Sequence, residues 1–487
     1  MVLLAPPPTA ADINANATAP PALLPLIRTF CAATAVLLFV TKKHAKVARN
    51  DKLSTTIQRL PLVGRTVRVR LKYRVPVSQV KLHTLHGGVF MLVPFLLGIA
   101  AATPIRIGLV LGAKPGAENR SGGLGYPRTS DQEVWATQQA KVDIDAELSA
   151  AGGQWSLELT TVYAGEDVNT TLVEEFLLRC HGSGVGLVVG AYADEETVLA
   201  IAPLAATLGL SLLLPASGLP SLPERSHVVR LWTNDHWQAR VLAAKFLGEK
   251  AVVLYRDDVG GASLVQELQA VYSGTIATVN SYNASAGAAG LVAPLLAIQA
   301  ALGPPAVHPE RVSFLCHCGS DEVSLILDQM AAMGWPTART SFLITDRATP
   351  TRSVVSEPAR RAFAAAMDTR GVLPHIATSG NPAYASLWAR WIASGQNTSL
   401  FASALSAYDA LRIAARARTL LSADAPTVGA PGLTSAVAST ANQSWGARGM
   451  MALDGVGDLY RALYDEYAVD AASGWSVVGE PIDGRSL

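Results

Sequence analysis

The chain has 487 residues, half of them hydrophobic, with a mean hydropathy of +0.27 and a formal net charge of +1. That length holds two or three domains with ample cores. Thirteen of the 39 Lys and Arg but only two of the 38 Asp and Glu lie in residues 1–103, so the rest carries 26 basic and 36 acidic residues, a net of −10; an acidic body excludes nucleic acid as an expected partner.

Residues 1–20 are rich in Ala, Pro and Asn and read as disordered. An apolar stretch, Phe30–Val40, is followed by Lys42 and Lys43, and residues 41–86 form a basic connector. A second apolar stretch, Val89–Ala102 (VFMLVPFLLGIAAA), ends in small residues ahead of Thr103-Pro104. Both are shorter than the roughly 20 residues of a spanning helix. The second has the length of a signal-peptide apolar region, and its upstream basic flank predicts translocation of the C-terminal side. The leader therefore reads as a signal or an uncleaved membrane anchor. Met91 is an alternative start, and a buried core helix is the competing reading of 89–102. Six of the eleven Asn sit in N-x-S/T: Asn16, Asn119, Asn169, Asn283, Asn397 and Asn442. Chance gives about two such matches, and five of the six follow the second apolar stretch, where a translocated domain is glycosylated. The expected location is membrane-anchored or secreted, with the body extracellular or lumenal.

The folded body is expected from Ile105. Strand IRIGLVLG leads into a Gly/Pro-rich loop (113–129), a helix over 131–151, strand LELTTVY, an acidic turn and a helix through Cys180. Strand GLVVG, a helix, strand LSLLLP, a loop, strand VVR, a helix and strand KAVVLYRDD follow. GLVVG, LSLLLP and KAVVLYRDD are apolar with little alternation, as strands buried on both faces of a parallel sheet are. Beyond Gly261 come a helix over 262–272, IATVNSY, a helix over 288–302, VSFLCHC, a helix over 321–333 and SFLITD. Helices near 357–369, 382–394 and 405–420 and short antiparallel strands complete the pattern. Alternation twice over predicts an α/β protein with two doubly wound sheets, one from Ile105 to about Arg230 and one from about Lys250 to Asp346. Such sheets bind ligands beyond the carboxyl ends of their strands, and here the strands end in small or polar residues.

Several motifs invite catalytic or metal chemistry and fail on spacing. Asp257-Asp258 before Gly260-Gly261 reads as a strand-to-helix turn with a capping Asp. Cys316-His317-Cys318 lacks a second pair at zinc spacing, and successive strand residues face opposite ways. The four cysteines make no disulfide framework. Gly182–Gly186 precedes a strand, whereas a dinucleotide loop follows one, and no G-x-S-x-G elbow is present. His181, His227 and His236 are scattered. No catalytic residue, cofactor or metal is expected.

The segments GAYADEET (Gly190–Thr197), LLLPASGLPSL (Leu212–Leu222), VVRLWTNDHWQARVLAAKFL (Val228–Leu247), VVLYRDDVGG (Val252–Gly261), SAYDALRIAARA (Ser406–Ala417) and GARGMMALDGVGDLYRALYDEYAV (Gly446–Val469) occur in an order and spacing that is informative as a set. Over residues 105–480 the chain resembles the type I periplasmic-binding-protein superfamily, in the branch of branched-chain amino-acid-binding proteins and receptor ligand-binding regions. The resemblance implies two Rossmann-like lobes, joined by three crossings, that close like a clamshell on a small polar, amino-acid-like ligand without catalysis. It implies lobe 1 at 105–235 and 350–445 and lobe 2 at 236–349 and 446–480, behind the leader at 1–103. Members often dimerise through the first lobe, so a homodimer is an open expectation.

The ligand-binding residues carried over are Tyr192, Thr197, Ala216, Ser217 and Gly218 in the first lobe and His317, Ser320 and Asp346 in the second. Asp346 would face a ligand cation, with structural capping as the alternative. Core packing is the alternative for Tyr192 and for Trp232. The first loop departs from the family's Ser/Thr pair: here it is Asp194-Glu195. These carboxylates either turn outward as a solvated helix start, which is the favoured expectation, or exclude a ligand carboxylate. A degenerate structural or adhesion module is the alternative function, and an α/β enzyme a more distant one.

Overall fold

Thr103–Leu111 (β1) is built on strand alternation: Ile105, Ile107, Leu109 and Leu111 enter one buried cluster, while Val110 points into another. The computed structural model describes residues 103–111, 129–153, 155–164, 169–190, 195–222, 224–246, 250–303, 311–348, 352–395, 402–422, 430–442, 444–451, 453 and 462–487. The leader, both of its apolar stretches, Tyr192, Asp194, Asn119 and Asn397 lie outside them. Among the described residues, no helix is long and apolar enough to cross a membrane.

The first lobe continues with α1 (Thr129–Ala150), β2 (Trp155–Tyr163), α2 (Thr170–Gly182), β3 (Leu187–Val189), α3 (Glu195–Thr207), β4 (Ser211–Leu214) and β5 (Val228–Arg230). Its strands run in the order β2-β1-β3-β4-β5, and every pair is parallel. The second lobe takes α4 (Asp235–Ala244), β6 (Lys250–Arg256), α5 (Val259–Val271), β7 (Thr275–Tyr282), α6 (Ala288–Leu302), β8 (Val312–His317), α7 (Ser320–Ala332), β9 (Thr340–Ile344), α8 (Arg352–Ser356), α9 (Pro358–Ala366) and β10 (Arg370–Pro374). Its parallel strands run β7-β6-β8-β9-β10, the same order as in the first lobe. In that order the strand sequence reverses between β1 and β3, and again between β6 and β8. Those are the topological switch points where such sheets hold ligands.

The chain then returns to the first lobe with α10 (Pro382–Ala393), α11 (Ala402–Ser422), α12 (Ala430–Ala441) and the hairpin β11 (Trp445–Gly446) and β12 (Gly449–Met450). These helices and α1 cover one face of the first sheet, and α2 and α3 cover the other. Trp391, 2 % exposed, meets Trp135 edge-on at 4.9 Å in that cover. Truncating so buried an aromatic costs about 4 kcal/mol. Finally β13 (Leu463–Asp470) adds antiparallel to β10, with β14 (Gly474–Val477) and β15 (Ile482–Asp483) on its outer side. Helices α6 to α9 pack on one face of the second sheet, and α4 and α5 on the other.

Helix starts are fixed by short polar side chains. Asn169, Asn234, Asp258 and Asn381 each accept a hydrogen bond from a first-turn N–H, a cap worth about 1 kcal/mol. Asp258 is thus the capping Asp that its spacing predicts.

Two boundaries differ from the expectation. The first lobe was to resume at 350, but α8 and α9 pack on the second core and β10 pairs with β9, so the return falls at 375–381. The second lobe was to resume at 446, but Ala447, Met451 and Leu453 are buried in the first core, so that passage falls after Leu453. The first difference has a local cause: β10 (RGVLP) is short and holds a Gly and a Pro, which hides a strand that only its neighbours stabilise.

Candidate functional site

The carboxyl ends of the two sheets meet along a seam of buried polar residues. In the first lobe, Arg230 ends β5 with no exposed surface, and its Nη1 donates to the carbonyls of Leu219 and Ser217, pinning the loop after β4. Gly218 accepts from the Asp235 N–H at 2.6 Å, and a Cβ on Gly218 would stand 2.5 Å from Asp235 Oδ1. Only glycine lets α4 start so close. Ser217 is buried beside it, and among the described residues its Oγ has no hydrogen-bond partner. Ala216 packs with Trp232, Leu373 and Ala402.

From the second lobe, His317 closes β8. Its Nδ1 lies 3.0 Å from Thr345 Oγ1, while its buried Nε2 has no partner among the described residues. Burial pushes the imidazole well below its ordinary pKa, and Arg347 and Arg256 push it the same way, so the ring is neutral. Asp346, after β9, accepts from Trp232 Nε1 at 3.1 Å. Burial raises its pKa against the pull of Gln238 and Trp232. Burial likewise drives Asp235 well above the carboxylate range, and the carboxylates of Glu195 and Asp346 add to it.

Arg347 stands at the centre. Its Nη2 is 2.5 Å from Glu195 Oε2 and its Nη1 2.7 Å from Asp258 Oδ2. Burial opposes the charge on Arg347, but Glu195 and Asp258 outweigh it. Glu195 therefore does not face solvent as a free helix start: it is 7 % exposed and turned into the seam. The outward expectation fails for this residue because the second lobe supplies a cation there. The Asp258 cap is flanked by Arg256, which also approaches Glu322 at 3.6 Å. Glu322 accepts in turn from the Tyr282 hydroxyl and the Gly319 N–H.

On the hinge side, Arg448 stacks over Trp232 at 4.7 Å and donates to the Leu231 carbonyl and Ser406 Oγ. Asp409 on α11 accepts from the N–H groups of Ala447 and Arg448 at 2.6 and 3.0 Å. Burial raises the pKa of Asp409 to about 6 and lowers that of Arg448 to about 10.

Of the residues expected in the site, Ala216, Ser217, Gly218, His317 and Asp346 lie at strand ends along the seam. Thr197 is fully buried with its hydroxyl 3.1 Å from that of Thr170, a contact inside the first lobe. Ser320 opens α7, and its side chain is outside the described set. Trp232 is 8 % exposed, in a small apolar cluster as well as bonded to Asp346. Sequence reasoning missed Arg347, which follows Asp346 directly, and Arg448, whose stacking partner is 216 positions away. Cys316 and Cys318 are joined by a disulfide with a Cα–Cα separation of 5.7 Å. The two are two positions apart, a spacing that puts side chains on the same side of a strand, and the strand itself ends at His317 between them. Among the described residues no group of three or more His, Cys, Asp or Glu could hold a metal ion.

No family model matches the chain, and no curated protein does. Solved structures do. The branched-chain amino acid transporter substrate-binding protein LivJ from Streptococcus pneumoniae, in complex with isoleucine, aligns over 77 % of this chain and 99 % of its own at 16 % identity and a TM-score of 0.57. The leucine-binding protein LivK from Thermotoga maritima aligns over 79 % and 100 % at 17 % identity and a TM-score of 0.59. A solute-binding protein of an R. palustris ABC transporter, in complex with benzoate, aligns over 78 % and 98 % at 13 % identity and a TM-score of 0.56. With two like-ordered sheets joined by three passages, the body of this chain has the type I periplasmic-binding-protein fold.

Proposed function

We propose that residues 105–480 are a non-catalytic module that takes a small polar, amino-acid-like ligand between the two lobes. The observation that carries this reading is a pair of buried side-chain atoms without hydrogen-bond partners among the described residues, Ser217 Oγ and His317 Nε2, one from each lobe. An unmet buried polar atom costs about 1–3 kcal/mol, which a ligand offering the partner recovers. Neutral His317 can give or take a hydrogen bond without presenting charge, and Asp346 with Trp232 supplies an acceptor beside an aromatic face. Structures of the same fold hold isoleucine and benzoate, both small enough to lie between lobes and both carboxylates. The site residues of this proposal are Ser217, Gly218, His317 and Asp346.

The module is placed outside the cytoplasm by the leader's pattern and by the sequons, with glycans on Asn119, Asn169, Asn283, Asn397 and Asn442. Asn169, Asn283 and Asn442 are exposed. A homodimer through the first lobe belongs to the same reading.

A thermal-shift screen of the full chain against amino acids, aromatic acids, amides, sugars and nucleosides tests it. One class is expected to raise Tm, by a stabilisation of about 2.7 kcal/mol at a hundredfold excess over Kd, and Ser217→Ala and Asp346→Asn should each weaken that response. A screen in which nothing stabilises the protein, or in which the stabilising compound is turned over, ends the reading.

A further inference from the structure

Two ion pairs at the centre of the seam, both made by Arg347, join the two switch points. Glu195 opens the helix that follows the first lobe's switch strand β3, and Asp258 caps the helix that follows β6 in the second. Arg347 contacts both, at 2.5 and 2.7 Å, and the three side chains are 8 %, 28 % and 20 % exposed, respectively. The neighbouring helix is cut to fit. Gly260, second residue of α5, faces the pair, and a Cβ there would collide with Arg347 Nη2 and stand 2.9 Å from Glu195 Oε2. Val259, one residue before, packs on the α2–α3 core of the first lobe. The lobes thus touch through α3 and α5 at this point.

We infer that Arg347 is a tethered substitute for a ligand: by bridging Glu195 and Asp258 it holds the lobes closed with no solute bound. The inference rests on the proposed binding function only for what the seam is used for. In a two-lobed binder, closure is normally stabilised by the free energy of contacts to the solute in the closed state. Here a cation of the second lobe and a carboxylate of the first already make that contact. The pair is shielded from water, which strengthens it relative to a surface pair, and opening the lobes restores hydration to both charges. A solute that enters must therefore take over one side of this pair. The latch also accounts for the departure at Glu195: a residue at the start of α3 that would repel a ligand carboxylate is the residue Arg347 needs.

Spin labels at Leu199→Cys on α3 and Val292→Cys on α6, both exposed positions, report the distance between lobes in the full chain carrying Cys31→Ser. Every sample is free of solute, so the outcome is independent of whether the ligand screen succeeds. The unmodified latch is expected to give one short, narrow distance. Glu195→Gln removes the charge that spans the lobes, and Gly260→Ala keeps all three charges but fills their space. Both are expected to shift the distribution to longer and broader distances while the urea midpoint shows that the variants remain folded. A long, broad distribution in the unmodified protein, or folded variants that both keep its short distance, would overturn the latch.

Discussion

The hinge side and the switch-point side of the seam use the same kinds of residue in different ways. At the hinge, Asp409 grips two backbone N–H groups and Arg448 grips a backbone carbonyl, and the Arg448 ring contact ties the hairpin before the third passage to Trp232 in the first. At the switch points, Glu195, Arg347 and Asp258 hold one another by side chains. Breaking a hinge contact leaves a buried group with no route to water. Breaking the switch-point pair lets the lobes part, and the freed charges hydrate. Similar chemistry should therefore cost very different amounts of stability, and only one of the two places is suited to exchange with a ligand.

The largest effects test the hinge. Asp409→Ala should lower the unfolding free energy by about 3 kcal/mol, since two charge-assisted bonds to backbone are lost together, and Arg448→Met should cost a similar amount. Urea titration reads both, and losses under about 1 kcal/mol would show that the hinge is no better anchored than the latch. The next effect follows pH. Burial holds Glu133, near the start of α1 and beside Ser403, at a pKa of about 8 against an ordinary 4.5. A folded pKa above the unfolded one gives a contribution that is full below pH 4.5 and lost as pH rises through 8. Glu133→Gln should remove a fall in stability on the order of 2.5 kcal/mol between pH 5.5 and pH 7.5; an unchanged fall would place the titration elsewhere. Smaller still, Arg347→Met should cost only about 1 kcal/mol, because parting of the lobes relieves Glu195 and Asp258. A loss equal to that of Arg448→Met would erase the contrast. The smallest effect concerns the surface. Thr171→Ala destroys the Asn169 sequon but spares the bond from Leu172 N–H to Asn169. It should remove one glycan from material made in a secretory host and change stability by less than about 0.5 kcal/mol; an unchanged mass would mean that Asn169 carries none.

The parts of the fold that are legible in the sequence are those fixed by local pattern. Strands β1, β4, β6 and β8 are runs of branched and apolar residues, and α7 has helical periodicity, so the alternation of strand and helix gives two parallel sheets. Strand β10 and helix α12 (APGLTSAVASTA) carry weak local signals and owe their form to partners far along the chain. The site divides the same way. Ser217, Gly218, His317 and Asp346 are found because strand ends are found. The latch is not, because a salt bridge between residues 152 positions apart leaves no trace in spacing. Glu195 was conspicuous as a misfit, and its partner was the missing half of the explanation.

The same long-range dependence bears on how the protein is made. Neither lobe is a continuous stretch of chain. One face of the first sheet is covered by Leu405, Tyr408 and Leu411 of α11, and β10 pairs with β9 at two residues but with β13 at five. A ribosome that has delivered residues through Pro374 has finished neither lobe, and the nascent chain displays a half-covered first sheet and an unpaired strand edge, surfaces on which chains aggregate. Synthesis halted before Leu463 should accordingly leave a second lobe that a protease digests. A resistant fragment would mean that the lobe does not need its last strands.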